Sequence, residues 1–230
     1  MKEKVIIALD VSSRERALRI VGQLSDLAGM FKIGSQLYTA EGPALVREII
    51  RLGGKVFLDL KFHDIPNTVT QAAIEAAKLG VSMLTIHACG GRTMMNAVSK
   101  ELRENFSGAK PLLVAVTILT SLDTRDLFEI GLEQPIERQV ERLALMAQDC
   151  GLDGVVCSPR EIHILRRVLG SNFKIVVPGI RMPDQPVDDQ QRTATPRQAI
   201  EAGADYIVIG RAVTGEPDAR SALQRLLESI

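Results

Sequence analysis

Eight short apolar runs recur along this chain, and stretches with the apolar spacing of amphipathic helices separate them. Runs of this length without polar alternation are typical of parallel strands that are buried on both faces. The runs cover residues 5–9, 30–33, 56–60, 83–87, 112–118, 154–157, 174–177 and 206–209. Eight strand–helix units in 230 residues predict an α/β fold, a (β/α)8 TIM barrel that forms a single domain over residues 1–230.

An open, doubly wound sheet would show the same alternation of strands and helices. Such a sheet normally needs only five or six strands, and a dinucleotide-binding one carries a Gly-x-Gly-x-x-Gly fingerprint after its first strand. No such fingerprint follows residues 5–9. The barrel is therefore the favoured fold.

Local signals mark where several of the helices begin and end. Three capping boxes are predicted, namely Ser12 with Glu15, Ser158 with Glu161, and Thr195 with Gln198. Four glycines follow helical patterns, where a left-handed residue would end the helix: Gly53, Gly80, Gly151 and Gly203.

The composition excludes several classes of function. Lys plus Arg and Asp plus Glu number 28 each, so the basic excess of a nucleic-acid-binding protein is missing. No apolar run approaches the roughly 20 residues of a membrane span, and the first residues do not resemble a signal peptide. The three cysteines are odd in number and form no Cys-x-x-Cys pair, which predicts reduced thiols and a cytoplasmic location.

A cluster of four ionisable residues is predicted at the carboxyl ends of strands two and three, the face where barrel enzymes hold their active sites. Asp59 and Lys61 are two apart on one strand, so both should point to the barrel axis while Leu60 points to the helices. Lys32 ends the neighbouring strand, and Asp64 follows on the next loop. Buried charges of alternating sign compensate one another. The cluster is either a salt-bridge network that closes the barrel mouth or catalytic machinery, and convergence of four such groups favours the latter.

A phosphate site is predicted after strands seven and eight, where barrels commonly bind this group. Gly210 allows close approach of an anion, and the amides around Gly210 and Arg211 can point to it. The alternative for Gly-Arg is a turn with a solvated charge. Residues 179–192 form a long connection on the same face, which indicates either a lid over the site or a disordered insertion.

Residues 59–69 read Asp-Leu-Lys-Phe-His-Asp-Ile-Pro-Asn-Thr-Val, which resembles the signature of bacterial orotidine 5'-monophosphate decarboxylases. The similarity continues in order through residues 7–10, 31–34, 116–121, 178–181, 189–190 and 209–211. The resemblance implies the decarboxylation of orotidylate to UMP in de novo pyrimidine biosynthesis, without a metal or an organic cofactor.

The resemblance also implies a role for each charged residue of the cluster. Lys61 would protonate C6 of the pyrimidine, and Asp59 would lie beside the substrate carboxylate. Lys32 and Asp64 would hold the other two charges. Asp64 and Thr68 would cross a homodimer interface into the active site of the neighbouring subunit, so that the two chains share their active sites.

Substrate-binding residues follow from the same resemblance. They are Arg181, Gln190 and Arg211 for the phosphate, with Gln190 on the closing lid, Asp10 and Lys32 for the ribose, and Thr120 beside the pyrimidine. Residues 182–187 receive no assignment.

Two alternatives remain open on the sequence. The first is another sugar-phosphate lyase of the same barrel, similar to 3-keto-gulonate-phosphate decarboxylase, which holds Mg²⁺ and needs an acidic ligand near the place that Lys32 occupies. A cation there disfavours a metal, and neither His63 nor His87 has a His or Cys partner at ligand spacing. The second alternative is a barrel that binds UMP without catalysis, for which so costly a charged cluster is unnecessary.

Overall fold

The computed structural model, which describes residues 1–106, 108, 110–181 and 193–230, contains eight parallel strands that close into a barrel. The strands are β1 (Val5–Ala8), β2 (Met30–Gly34), β3 (Val56–Phe62), β4 (Met83–His87), β5 (Leu112–Val116), β6 (Gly154–Val156), β7 (Lys174–Val177) and β8 (Tyr206–Ile209). Each strand pairs with the next along the chain, and β8 pairs with β1. The predicted (β/α)8 barrel is confirmed.

Helices follow the strands and surround the barrel. They are α1 (Arg14–Leu24), α2 (Ser35–Arg51), α3 (Pro66–Lys78), α4 (Gly91–Asn105), α5 (Thr124–Glu129), α6 (Ile136–Asp149), α7 (Ile162–Leu169), α8 (Pro196–Glu201), α9 (Arg211–Thr214) and α10 (Ala219–Glu228). Short 3-10 helices cover Lys2–Lys4, Ala88–Gly90 and Pro159–Glu161. None of the helices in the described ranges combines the length and apolar character that a membrane crossing requires.

Two apolar layers stabilise the barrel. One fills the interior of the barrel, and the other lies between the strands and the surrounding helices. The inner layer consists of Ile6, Ala8, Met30, Phe57, Met83, Val114, Val176 and Val208. The outer layer is larger and contains the alternate strand residues, such as Ile7 and Leu58, together with the apolar faces of the helices. Because both faces of every strand are covered, the strands need no polar alternation, which explains their continuous apolar sequence.

The strand bounds depart from the prediction mainly at the carboxyl ends. β2 and β3 are longer than predicted, whereas β1, β5 and β6 end one or two residues earlier. At these ends the strand hydrogen bonding stops and the loops begin, and the end of an apolar run in the sequence does not mark that residue. β3 extends past the predicted run to Phe62 and so includes Lys61, which the apolar pattern alone had excluded.

The helix signals are confirmed with one correction. Ser158 with Glu161 and Thr195 with Gln198 form the expected capping boxes, and all four helix-ending glycines have positive φ. The box predicted for Ser12 with Glu15 is wrong. α1 begins at Arg14, and its cap is Ser13, whose hydroxyl accepts a hydrogen bond from the Arg16 N–H at 3.4 Å. Two adjacent serines made the sequence ambiguous by one residue.

Candidate active site

A cavity of about 480 Å³ opens at the carboxyl ends of the strands. It is lined by eight of the residues predicted for the site, namely Asp10, Lys32, Asp59, Lys61, Thr120, Arg181, Gly210 and Arg211. Its floor is the apolar interior of the barrel, including Ala8, Phe57, Val176 and Val208. A polar rim above an apolar floor suits a small ligand that combines charged groups with an apolar part.

Four charged side chains form a row of alternating sign along one wall of this cavity. The Lys32 Nζ lies 3.1 Å from the Asp10 Oδ1 and 3.6 Å from the Asp59 Oδ2. The Lys61 Nζ lies 2.9 Å from the same Asp59 Oδ2. The Asp59 side chain is only 11% exposed, and the two flanking ammonium groups compensate its carboxylate.

The backbone of β3 is irregular where it carries this row, which the sequence analysis did not predict. The β3–β4 register shifts between Leu58 and Phe62, and Lys61 has a φ of 51°. No other non-glycine residue in the described part of the chain has a positive φ. The facing predicted for this segment is nevertheless confirmed, because Asp59 and Lys61 both line the cavity and Leu60 packs against the outer apolar layer. Strained backbone of this kind tends to be kept where a side chain must be aimed.

Thr85 of β4 contacts the irregular segment, a role that was not predicted from the sequence. Its side chain is fully buried. Its Oγ1 accepts a hydrogen bond from the Lys61 N–H at 2.8 Å and donates one to the Asp59 Oδ1 at 3.0 Å. The available signal was a lone hydroxyl in the apolar run of residues 83–87.

Two arginines and a glycine lie at the end of the cavity formed by β7 and β8. Arg181 follows β7, and Gly210 and Arg211 follow β8. The Arg181 N–H bonds to the Ala194 carbonyl at 3.0 Å, which joins the two ends of the connection between β7 and α8. Gln190 and residues 182–187 lie outside the described residues.

Two predicted site residues, Asp64 and Thr68, do not line the cavity of their own chain. Both are exposed on the rim after β3, where the Asp64 Oδ1 accepts a hydrogen bond from the Ile65 N–H at 2.6 Å. Ile65, which lies between them in sequence, is 66% exposed.

Next to this rim, the rings of His63 and His87 stack at 5.4 Å. Burial, followed by the nearby His63 and Lys61, lowers the pKa of His87, so its imidazole is neutral at pH 7. Among the described residues, no three His, Cys, Asp or Glu side chains are grouped as metal ligands would be.

Comparison with known proteins identifies the family. Residues 3–226 match the model of the orotidine 5'-phosphate decarboxylase / HUMPS family. The chain belongs to this family. Orotidine 5'-phosphate decarboxylases from Syntrophotalea carbinolica and Geobacter sulfurreducens are each 49% identical to it, over all of this chain and 95% and 96% of theirs. A crystal structure of orotidine 5'-phosphate decarboxylase from Lactobacillus acidophilus superposes with a TM-score of 0.85, at 38% identity over 97% of both chains.

Membership of the orotidine 5'-phosphate decarboxylase / HUMPS family confirms the resemblance that residues 59–69 indicated. The two relatives carry the decarboxylase name and match almost end to end. This favours that activity over the keto-gulonate alternative.

Proposed function

We propose that this chain decarboxylates orotidine 5'-phosphate to UMP, a step of pyrimidine biosynthesis. The observation that carries the proposal is the alternating row Asp10–Lys32–Asp59–Lys61 inside the cavity of a chain that belongs to this family. Binding alone does not require a carboxylate held between two ammonium groups, because desolvating such a row is costly. A reaction that moves negative charge from a carboxylate to a carbon atom and then protonates that carbon does use such an arrangement.

The chemistry assigns the proton to Lys61. When the bond between C6 and the carboxylate breaks, CO2 leaves and the electron pair stays on C6, in the plane of the ring. This pair cannot delocalise into a ring carbonyl. An ammonium group in fixed position stabilises the pair and then donates its proton to C6, which forms UMP. The Lys61 side chain is 36% exposed, so water can return the proton to the amine.

Asp59 acts on the other end of the breaking bond. Its carboxylate is fixed between Lys32 and Lys61, so it cannot turn away from a second carboxylate placed next to it. Repulsion between the two negative charges raises the free energy of the bound substrate. The repulsion is relieved as CO2 departs without charge, which lowers the barrier to decarboxylation.

The remaining cavity residues bind the parts of the substrate that do not react. Arg181, Gly210 and Arg211 receive the phosphate between β7 and β8, and Gln190 is assigned to the same group. Asp10 and Lys32 receive the ribose, and Thr120 lies beside the pyrimidine. This order places the phosphate and the reacting carboxylate at opposite ends of the cavity.

A homodimer with shared active sites completes the proposal. Asp64 and Thr68 are exposed and do not line the cavity of their own chain, and Ile65 between them is exposed as well. A second copy placed on this rim would bury Ile65 and receive both polar residues in its own cavity. The cytoplasmic location expected from the cysteines stays a prediction.

The direct test is turnover of orotidine 5'-phosphate by the purified chain, followed as loss of the carboxylated substrate and appearance of UMP. Binding of UMP without turnover would favour the non-catalytic alternative. Turnover of a keto-gulonate phosphate instead would place the chain elsewhere in the family.

Chelation is expected to leave this activity unchanged. The acidic groups of the row are each paired with an ammonium group, and Lys32 lies where a cation would have to bind. The measurement compares kcat/KM before and after exhaustive treatment with EDTA, with added Mg²⁺ as the control. A loss of activity that Mg²⁺ restores would contradict this expectation.

Arg211→Ala is expected to lower kcat/KM for orotidine 5'-phosphate far more than kcat/KM for unphosphorylated orotidine. A charge-assisted hydrogen bond to phosphate contributes about 1.5–3 kcal/mol, which is roughly ten- to a hundred-fold in kcat/KM. Gln190→Ala should have a smaller effect of the same kind, because an amide is a neutral donor.

The measurement is the ratio of mutant to wild-type kcat/KM for the nucleotide, set against the same ratio for the nucleoside. Equal ratios for the two substrates would remove Arg211 from the phosphate site. Arg225, a basic residue on α10 that does not line the cavity, provides a control variant as Arg225→Ala.

A further inference from the structure

The bulge in β3 leaves backbone groups that the strand ladder does not satisfy. Leu58 pairs with Leu84 and Phe62 pairs with Ile86, so three residues of β3 lie opposite Thr85 alone. A ladder hydrogen bond normally runs from backbone to backbone. Here the Lys61 N–H instead bonds to the Thr85 side chain at 2.8 Å.

The same hydroxyl also reaches the reacting groups. It accepts from the Lys61 N–H, so its own hydrogen is free to point to the Asp59 Oδ1 at 3.0 Å. The other oxygen of that carboxylate receives the ammonium groups of Lys61 and Lys32. One buried hydroxyl therefore fixes both the backbone that carries Lys61 and the plane of the Asp59 carboxylate.

We propose that Thr85 is a positioning residue for the decarboxylation, acting through Asp59 and Lys61 without touching the substrate. Thr85 does not line the cavity, and its side chain is fully buried. Its hydroxyl keeps Lys61 at a φ of 51°, a conformation that is costly for any residue with a Cβ. Without this bond the bulge can relax toward regular pleating, which turns Lys61 away from C6. The inference rests on the proposed roles of Asp59 and Lys61.

The test is Thr85→Val, which keeps the shape of the side chain and removes both hydrogen bonds. We expect kcat for orotidine 5'-phosphate to fall roughly ten- to a hundred-fold, as for loss of a hydrogen bond to a charged group. KM and the Kd of UMP should change by no more than about three-fold, because the residue does not contact the ligand. Thr85→Ser retains the hydroxyl and should stay within about three-fold of the wild-type kcat.

Thr117 provides the matched control. It is equally buried, directly follows the neighbouring strand β5, and donates its hydroxyl to the Val156 carbonyl at 3.0 Å, outside the charged row. Thr117→Val removes a buried hydroxyl in the same way, and its kcat should stay within about three-fold of wild type. Melting temperatures of both valine variants show that each is compared in its folded state.

A kcat for Thr85→Val equal to that of Thr117→Val would overturn the positioning role, and so would a Thr85→Ser variant as impaired as Thr85→Val. If Thr85→Val fails to fold, kcat of Thr85→Ala is compared with kcat of Thr117→Ala instead. An inactive wild-type chain in the same assay would contradict the proposed function itself, which separates the two failures.

Discussion

Lys61→Ala is expected to reduce kcat for orotidine 5'-phosphate by roughly 10²–10⁴-fold or more while the barrel remains folded. The substitution removes the proposed proton donor for C6 and one of the two ammonium groups beside Asp59. Lys32, 3.6 Å from the same carboxylate oxygen, remains to compensate the Asp59 charge, so the fold has no isolated buried anion. The measurements are steady-state kcat and KM, with circular dichroism to verify folding.

Lys61→Arg separates the two functions of the side chain. A guanidinium keeps the positive charge beside Asp59 but holds its proton too tightly to give it up. We expect this variant to bind UMP and to remain almost as inactive as Lys61→Ala. Retention of more than about one tenth of wild-type turnover by correctly folded Lys61→Ala would show that the C6 proton has another source.

The barrel could be predicted from the sequence because its strands are buried on both faces. Such strands appear as continuous apolar runs, and three of the eight were placed with the bounds that the structure has, at β4, β7 and β8. The bounds of the other five strands were wrong only at their carboxyl ends, where these strands meet the active-site rim. There the residue type is set by the chemistry of the cavity, and the end of an apolar run no longer marks the end of the ladder.

The charged row could be predicted in part for a different reason. Asp59 and Lys61 are close in sequence, and Lys32 lies on the adjacent strand β2, so strand order alone brings them together. The bulge at Lys61 and the two hydrogen bonds of Thr85 depend on the register between β3 and β4, which no local pattern encodes. The sequence therefore predicts which charged side chains meet, but not the backbone bulge and the hydrogen bonds that orient them.

Asp64 is proposed to act in the active site of another copy of the chain, which a single chain cannot show. Mixing Lys61→Ala with Asp64→Ala protomers is expected to restore activity that neither variant has alone. In a heterodimer, one site combines both substitutions, and the other has an intact Lys61 from one chain and an intact Asp64 from its neighbour. Random exchange at equal concentrations makes half of the dimers heterodimers, so about one quarter of all sites become intact.

A matched control uses two substitutions from the same half of the site. Lys61→Ala mixed with Asp59→Asn leaves every site of the heterodimer with one defect, because both residues line the cavity of their own chain. This mixture should remain inactive. Subunit exchange is verified with differently tagged protomers, and light scattering gives the oligomeric state. If the Lys61→Ala and Asp64→Ala mixture exchanges subunits and still recovers nothing, each active site is built from a single chain, and the exposure of Asp64, Ile65 and Thr68 needs a different partner.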